Sequence, residues 1–260
     1  MISLKNFFQK IEDNPIFILG HQKSGTTVIA ALLSKSTQIS PTLDITRAIH
    51  DTSLQLKIKY GLMSFDSFVN KYKYEFSKKI IKEPYLTLLY NELSAKFVNA
   101  KFVHIVRDPR DNIRSILNRL NIPGNLSKID IFSYPEIQKN PTWSLAFDTS
   151  WLGQISFGYI DALSKRWNIF CDNYDPTNQI LIRYEDFKND KENVIYKLAE
   201  TMNIPVVNSI KNDVNKQYQP KGDNSRSWQE FYGEDNLKHI EKVCFEYMKK
   251  FDYDPVSLSV

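Results

Sequence analysis

The chain predicts an α/β fold built on a central parallel β-sheet flanked by helices. Three observations predict it. Ile16, Phe17, Ile18 and Leu19 form a short apolar run that stops at Gly20 and gives way to a polar loop and then an apolar helical pattern from Val28. Residues 102–106, Phe-Val-His-Ile-Val, are a β-branched and aromatic run of the kind buried on both faces of a sheet. Strand-like and helix-like segments then alternate along the chain, which implies parallel pairing through right-handed crossovers.

Taken in order, the first strand is expected at 15–20 and the first helix at 25–36. The stretch 41–60 reads as irregular or short-helical, with helices near 64–80 and 84–99. A strand at 101–107 leads into a helix at 109–121. Asp108 precedes Pro109 there, and proline suits the first turn of a helix, where its missing N–H costs nothing. Ile113, Ile116, Leu117 and Leu120 share one face of that helix. Residues 121–141 hold Pro123, Gly124, Pro135 and Pro141 and read as a long loop or lid. Leu152, Ile155, Ile160, Leu163, Trp167 and Phe170 set a helical pattern over 150–174. A strand at 179–184, a helix at 188–202 and a final helix at 236–251 complete the series. No internal repeat or low-complexity linker appears, and 260 residues with 42% hydrophobic content suit a single domain over 1–260 with a large core.

The segment Pro15–Thr27, PIFILGHQKSGTT, carries the first functional signal. A strand, a glycine-bounded loop and a helix N-terminus present unsatisfied N–H donors and the positive end of a helix dipole to an anion. This makes the sheet P-loop-type. Gly20 and Gly25 keep the spacing of the ATP/GTP loop, but Thr26 stands where that loop carries its Lys, and Thr27 keeps the hydroxyl position. The only lysine of the loop is Lys23, before Gly25. The bland alternative is that Gly20 ends a strand and Ser24 caps a helix. The second signal is Lys101–Leu120, KFVHIVRDPRDNIRSILNRL. Arg107 ends the strand, the edge at which open α/β sheets bind ligands, while Ser115 and Arg119, four apart, share a helix face.

Together, QKSGTT (Gln22–Thr27) and RDPRDNIRSILNR (Arg107–Arg119) resemble the sulfotransferases that use 3′-phosphoadenosine 5′-phosphosulfate (PAPS). LIRYEDF at Leu181–Phe187, KGDNSRSW at Lys221–Trp228 and FDYDP at Phe251–Pro255 extend the resemblance over most of the chain, while 52–77 matches no motif of the family. The resemblance implies that Gln22, Lys23, Ser24, Gly25, Thr26 and Thr27 hold the 5′-phosphosulfate, with Lys23 stabilising the leaving phosphate. It implies that Arg107 and Ser115 hold the 3′-phosphate. Arg119 has the spacing of a further phosphate-binding Arg in the tyrosylprotein branch, and is otherwise a solvated helix residue. Tyr184 lies near adenine in such enzymes, and Lys221 and Arg226 fall in the loop that closes over the nucleotide. Asp108 and Arg110 read as structural, pairing with each other or capping the helix.

The acceptor hydroxyl needs a general base. The tyrosylprotein branch uses a Glu twenty-one positions after the basic loop residue. Here Asp44 stands at that distance from Lys23, followed by Ile45, Thr46 and Arg47, so the match is partial. Asp44 is either the base or a helix cap, and His50 is the second candidate, because imidazole titrates in the useful range. His104, inside a strand, reads as structural. Lys82-Glu83-Pro84 resembles the K-x-P element of carbohydrate and tyrosylprotein members, so Lys82 is either an aid at the transferred group or a surface lysine. A carbohydrate or glycoconjugate acceptor is expected ahead of small alcohols or phenols. Trp143, Trp151, Phe157 and Tyr159 are candidates to line its cleft or, alternatively, core residues.

The net charge of +4 and a pI near 8.8 suit an anionic donor or acceptor. A Lys/Tyr-rich stretch at 57–79 reads as a solvated face, and no nucleic-acid motif accompanies it. Cys171 and Cys244 fall in apolar helical patterns and read as buried free thiols. No Cys/His cluster has metal-ligand spacing, so no metal is expected. The start, MISLKNFFQKIEDN, lacks a signal-peptide core and no apolar run spans a membrane, so the expectation is a cytoplasmic protein, a bacterial-type member or a trimmed chain. The oligomeric state is left open. The rival readings are a P-loop kinase of a small molecule, which should carry the Walker Lys and an acidic Mg²⁺ ligand, and a non-catalytic PAP-binding protein.

Overall fold

A computed structural model describes residues 9–49, 51, 53–218, 222 and 225–257. Among them the strands are β1 (Ile16–Gly20), β2 (Pro41–Thr42), β3 (Ile80–Lys82), β4 (Lys101–Val106) and β5 (Gln179–Arg183). The helices are α1 (Thr26–Thr37), α2 (Thr46–Ile49), α3 (Leu54–Lys59), α4 (Phe65–Lys71), α5 (Tyr90–Lys96), α6 (Pro109–Leu120), α7 (Pro135–Lys139), α8 (Tyr159–Asp172), α9 (Tyr184–Asn189), α10 (Lys191–Thr201) and α11 (Trp228–Lys250). The chain divides into two compact units, one from Met1–Ala48, Leu54–Val106 and Asn173–Tyr218, the other from Ile49–Ser53, Arg107–Asp172 and Gln219–Val260.

The first unit contains the sheet. Its order is β2-β3-β1-β4-β5, and every neighbouring pair is parallel. β1 is central, with Phe17 level with Ile81 on one side and Phe102 on the other. Because side chains alternate across a strand, Ile16 and Ile18 pack with Ile29, Leu32 and Leu33 of α1 and Ile195 and Leu198 of α10. Phe17 and Leu19 pack on the opposite face with Phe68 and Val69 of α4, Leu93 of α5 and Phe97. The Phe17 ring stacks on Phe102 at 5.5 Å and meets Phe97 edge-on at 5.2 Å. A sheet covered on both faces explains why β1 and β4 read as mostly apolar runs.

The second unit packs α6, α8 and α11 together. Asp108 caps α6 by accepting the Arg110 N–H at 2.9 Å. The Arg110 guanidinium donates to both Asp108 oxygens (2.9 and 2.6 Å) and to Glu241 Oε1 on α11 (2.7 Å). Asp108 and Arg110 therefore do both of the structural tasks expected of them. Glu241 also accepts the N–H groups of Val256 (2.9 Å) and Ser257 (2.8 Å), which anchors the chain after α11. Cys171 and Cys244 are free and buried, and burial pushes both thiols well above the usual cysteine value.

The structure departs from the sequence reading in several places, among them the helix expected from 84, which is a 3₁₀ turn until α5 begins at Tyr90, and the loop expected at 121–141, which holds α7. β2 and β3 appear where no strand was expected, and the helix expected at 64–80 ends at Lys71. Strands of two and three residues are too short to show a period. The helix expected from 150 begins at Tyr159, after a short 3₁₀ turn (Ser150–Leu152) and a segment bracketed by Gly153 and Gly158. The helix expected from 188 begins earlier as α9, and Asp190 accepts the Asn193 N–H (3.2 Å) to start α10 separately. The last helix begins at Trp228 on a Ser227/Glu230 capping box and kinks at Gly233, where φ is 69°.

Candidate active site

Within the first unit, the carboxyl ends of the strands carry the candidate residues. β1 ends at Gly20, whose φ is +130° and whose added Cβ would lie 2.3 Å from the Ile105 carbonyl oxygen of β4. Only glycine lets the two strands pass this closely. The Gly20 N–H donates to Thr87 Oγ1 at 2.8 Å, tying the loop's start to the turn after β3. The loop then tightens. Ser24 N–H donates to the His21 carbonyl at 3.2 Å, and Lys23 sits in the left-handed region at φ 67°. Ser24 and Thr26 are buried, while Gln22, Lys23 and Thr27 are half-buried.

Gly25 heads α1 with φ 90°. No side chain caps this helix, and its first turn holds no acidic residue. Its opening N–H groups and dipole therefore meet no negative side chain of the first turn, an arrangement fitted to a phosphate or sulfate. Tyr184, at the end of β5, packs on this glycine: a Cβ at position 25 would lie 2.3 Å from Tyr184 Cδ2 and 2.5 Å from Cε2. The structure thus brings Tyr184 and the loop together, a contact that no local motif announces.

The ends of β2 and β3 bring together a second group. Asp44 lies two residues beyond β2. Its Oδ1 accepts a hydrogen bond from Lys82 Nζ at 2.5 Å, and Lys82 is the last residue of β3. The Lys82 side chain is only 2% exposed and that of Asp44 30%. Lys82 is therefore no surface lysine. Glu83 follows it, 6% exposed, and its two carboxyl oxygens accept the N–H groups of Ile45 (3.0 Å) and Tyr85 (3.2 Å). Burial pushes the Glu83 carboxyl above the usual carboxylate range and the Asp44 charge adds to this; Lys82 and the two amides pull the other way without overcoming it. Sequence reasoning gave Glu83 no role. Its signal was the Glu-Pro pair that opens the turn Pro84–Leu89. His50 and Lys221 lie outside the described residues. His104 is buried in β4 beside the Tyr174 ring, as a structural histidine would be.

In the second unit, Arg107 is half-buried and its carbonyl accepts the Trp167 indole N–H at 2.9 Å. Ser115 is half-buried on α6. One turn on, the backbone of Gly222 passes so close to Asn118 that a Cβ there would lie 2.8 Å from Asn118 Nδ2. Arg119 is 43% exposed and pairs with Glu136 of α7 at 3.0 Å. Arg226 is exposed with its guanidinium 5.6 Å from the Phe231 ring, and its carbonyl accepts a hydrogen bond from Arg114 Nη1 at 3.0 Å. Asp111 Oδ1 accepts from Arg114 Nη2 (2.5 Å) and from the Trp228 indole (2.8 Å), while Trp228 lies 4.0 Å from the Arg110 guanidinium. The described part of the 222–228 segment is thus fastened to α6. Of the aromatic candidates, Trp151 and Tyr159 are core: the Tyr159 hydroxyl donates to the Pro123 carbonyl (2.9 Å) and accepts the Leu126 N–H (3.1 Å). Trp143 is half-buried and Phe157 is 87% exposed.

Among the described residues no group of three or more His, Cys, Asp or Glu side chains is placed to hold a metal ion, and no helix is long and apolar enough to cross a membrane.

Residues 13–254 match the family model described as "Sulfotransferase domain". Among solved structures, the chain is similar to the sulfotransferase domain from the curacin biosynthetic pathway, at 16% identity and a TM-score of 0.50, covering 95% of this chain and 100% of that one. It is also similar to sulfotransferase STF9 from Mycobacterium avium, at 13% identity and a TM-score of 0.53, covering 96% and 79%. Sulfotransferase STF1 from Mycobacterium tuberculosis H37Rv gives 12% identity and a TM-score of 0.53, covering 92% and 78%. At these identities the likeness is one of fold. No curated protein matches the chain in sequence.

Proposed function

The chain belongs to the sulfotransferase domain family, and from that premise we propose that it moves a sulfuryl group from PAPS to a hydroxyl acceptor by in-line displacement, with PAP as the leaving group. The observation that carries this reading is the loop Gly20–Gly25 opening onto a helix N-terminus with no side-chain cap and no acidic first turn. The loop holds the geometry of an anion cradle without the Walker Lys, and family membership sets the kinase alternative aside.

Sulfuryl transfer resembles phosphoryl transfer, so catalysis comes from positioning and charge stabilisation. In this reading Gln22, Ser24, Gly25, Thr26 and Thr27 hold the 5′-phosphosulfate, and Lys23 stabilises the charge that grows on the leaving phosphate. Arg107 and Ser115 hold the 3′-phosphate; a guanidinium fork suits its oxygens. Arg119 is the further phosphate ligand, which requires it to exchange its partner Glu136. Tyr184 borders the adenine while its ring supports Gly25, and Lys221 and Arg226 belong to the loop over the nucleotide. Asp44 is the base that takes the acceptor proton, with Lys82 beside it at the transferred group. His50 is the second candidate for the base. No metal takes part, since the transferred group carries less charge than a phosphoryl.

The acceptor is a carbohydrate or glycoconjugate hydroxyl, with the chain a bacterial-type member of the carbohydrate/tyrosylprotein-like branch acting as one cytoplasmic domain over residues 1–260. The K-x-P element and the Asp44–Lys82 pair support that branch. The test is an acceptor screen with radiolabelled PAPS over oligosaccharides, small alcohols and phenols. Label in a saccharide with one PAP released per transfer is the expected result. Failure to bind PAP in a calorimetric titration would overturn the reading.

A further inference from the structure

We infer that Glu83 is a positioning residue for this reaction: it ties the backbone that carries Asp44 to the strand end that carries Lys82, and so fixes the Asp44–Lys82 pair. The inference rests on the reading of Asp44 as the base and deepens it.

Asp44 lies between a two-residue strand and a four-residue helix, so no regular ladder fixes its backbone. The Ile45 side chain is buried in the core with Leu54 and Phe68, and the polar tie of this segment to the end of β3 is the Ile45 N–H, which donates to Glu83 Oε2 at 3.0 Å from a residue 38 positions away in the chain. The other carboxyl oxygen accepts the Tyr85 N–H at 3.2 Å and so caps the turn Pro84–Leu89. The short side chains Ser, Thr, Asp and Asn serve a helix cap best. A cap alone therefore gives no reason for a longer carboxyl, buried to 6% exposure beside a second carboxylate. Reach does give a reason: only a longer side chain satisfies Tyr85 and Ile45 together. Glu83 is also the chain neighbour of Lys82, whose buried ammonium lies 2.5 Å from Asp44. A shift in either backbone moves one member of that pair against the other, and in-line transfer is sensitive to displacements of this order.

Two substitutions separate positioning from capping. Glu83→Gln keeps the size but presents an NH₂ group to one of the two N–H donors. Glu83→Ser keeps a cap for Tyr85 and gives up the reach to Ile45. Turnover is followed as PAP released from radiolabelled PAPS with glucose, N-acetylglucosamine and 4-nitrophenol as probe hydroxyls, and PAP affinity is measured by calorimetry. Exchange of the Ile45 amide proton is followed by NMR in the ligand-free protein. Both variants are expected to lose about tenfold to hundredfold in kcat, to hold PAP affinity within about twofold, and to expose the Ile45 amide to exchange. Added to Asp44→Asn, Glu83→Ser is expected to cost less than about a further twofold, because both act through one group. Wild-type kcat in Glu83→Ser with an exposed Ile45 amide overturns the inference alone. So does a full multiplicative loss in the Asp44→Asn background. Wild-type kcat in Asp44→Asn removes the base reading, and this inference with it.

Discussion

Replacing Gly25 by alanine tests the loop and its support in one experiment. The backbone at Gly25 has φ 90° and ψ 7°, a left-handed conformation that costs an L-residue about 1–2 kcal/mol. The added Cβ would also lie 2.3 Å from Tyr184 Cδ2, whereas carbon atoms rest about 3.5–4.0 Å apart. Ring or loop must therefore retreat by more than about 1 Å, an overpacking that costs about 1–3 kcal/mol. Together these give a loss of about 2–5 kcal/mol for Gly25→Ala in urea denaturation. Only the steric share depends on the ring. In the Gly25→Ala/Tyr184→Ala double variant the alanine costs only its backbone strain, so the cycle should show a coupling of about 1–3 kcal/mol in favour of the pair. PAP affinity should fall about tenfold or more in Gly25→Ala, because the α1 N–H groups lose their aim. Equal cost of Gly25→Ala with and without the Tyr184 ring would refute the packing of that ring on the loop.

Lys23→Ala is expected to cut turnover about 10²–10³-fold with an unchanged melting temperature, and near-normal turnover from PAPS would remove Lys23 from the mechanism. Arg107→Ala deletes a charge-assisted contact of about 1.5–3 kcal/mol, so PAP affinity by calorimetry should fall by about tenfold or more; unchanged affinity counts against the assignment. Asp44→Asn should slow transfer about 10²–10⁴-fold at constant PAP affinity, and if His50→Ala gives that profile instead, the base is His50. Glu241→Ala leaves the buried Arg110 without one of its two carboxylates and should cost about 3–5 kcal/mol in denaturant melts. Burial alone would raise the Glu241 carboxyl, but hydrogen bonds from Ser257, from the Val256 and Ser257 amides and from Arg110 hold it below the usual range. A depressed folded value means that its stabilisation is present above the unfolded value of about 4.3 and is lost as pH falls through the folded one. Melts of Glu241→Gln should therefore show a weaker acid dependence than the parent protein below about pH 4, and an identical acid limb would refute that reading.

The sheet was legible where burial covers both faces. β1 and β4 are long enough for runs dominated by apolar residues, and Gly20 and Pro109 mark where each strand hands over to a helix. β3 was not legible, because Ile80 and Ile81 belong equally well to the end of a helical pattern, and three residues carry no period. The late start of α8 is of the same kind. Leu152 and Ile155 fit the helical spacing, yet Gly153 and Gly158 at positive φ interrupt it, and a period count weighs the apolar positions without weighing the breakers between them. Asp108 and Arg110 were legible as a pair because the contact is local; Glu241, the third member of their network and 131 positions away, was not.

The same division runs through the candidate site. A cradle made of backbone is written into a sequence as glycines, because the chain must leave room and accept positive φ where the ligand or a neighbour comes close. Gly20 against Ile105 and Gly25 against Tyr184 are two such marks: the glycines stand in the sequence, while the neighbours that demand them do not. A pair made of side chains is written only as two residue types, and nothing local says which partner each will meet. Lys82 was thus equally a surface residue or an active one until the sheet brought the ends of β2 and β3 side by side. Once the buried Lys82 ammonium is 2.5 Å from Asp44, Asp44 cannot be replaced by an uncharged residue without stranding that ammonium, and an unpaired buried charge costs several kcal/mol. In folding stability, the loop should accordingly tolerate changes of charge better than changes of shape, and the Asp44–Lys82 pair changes of shape better than changes of charge.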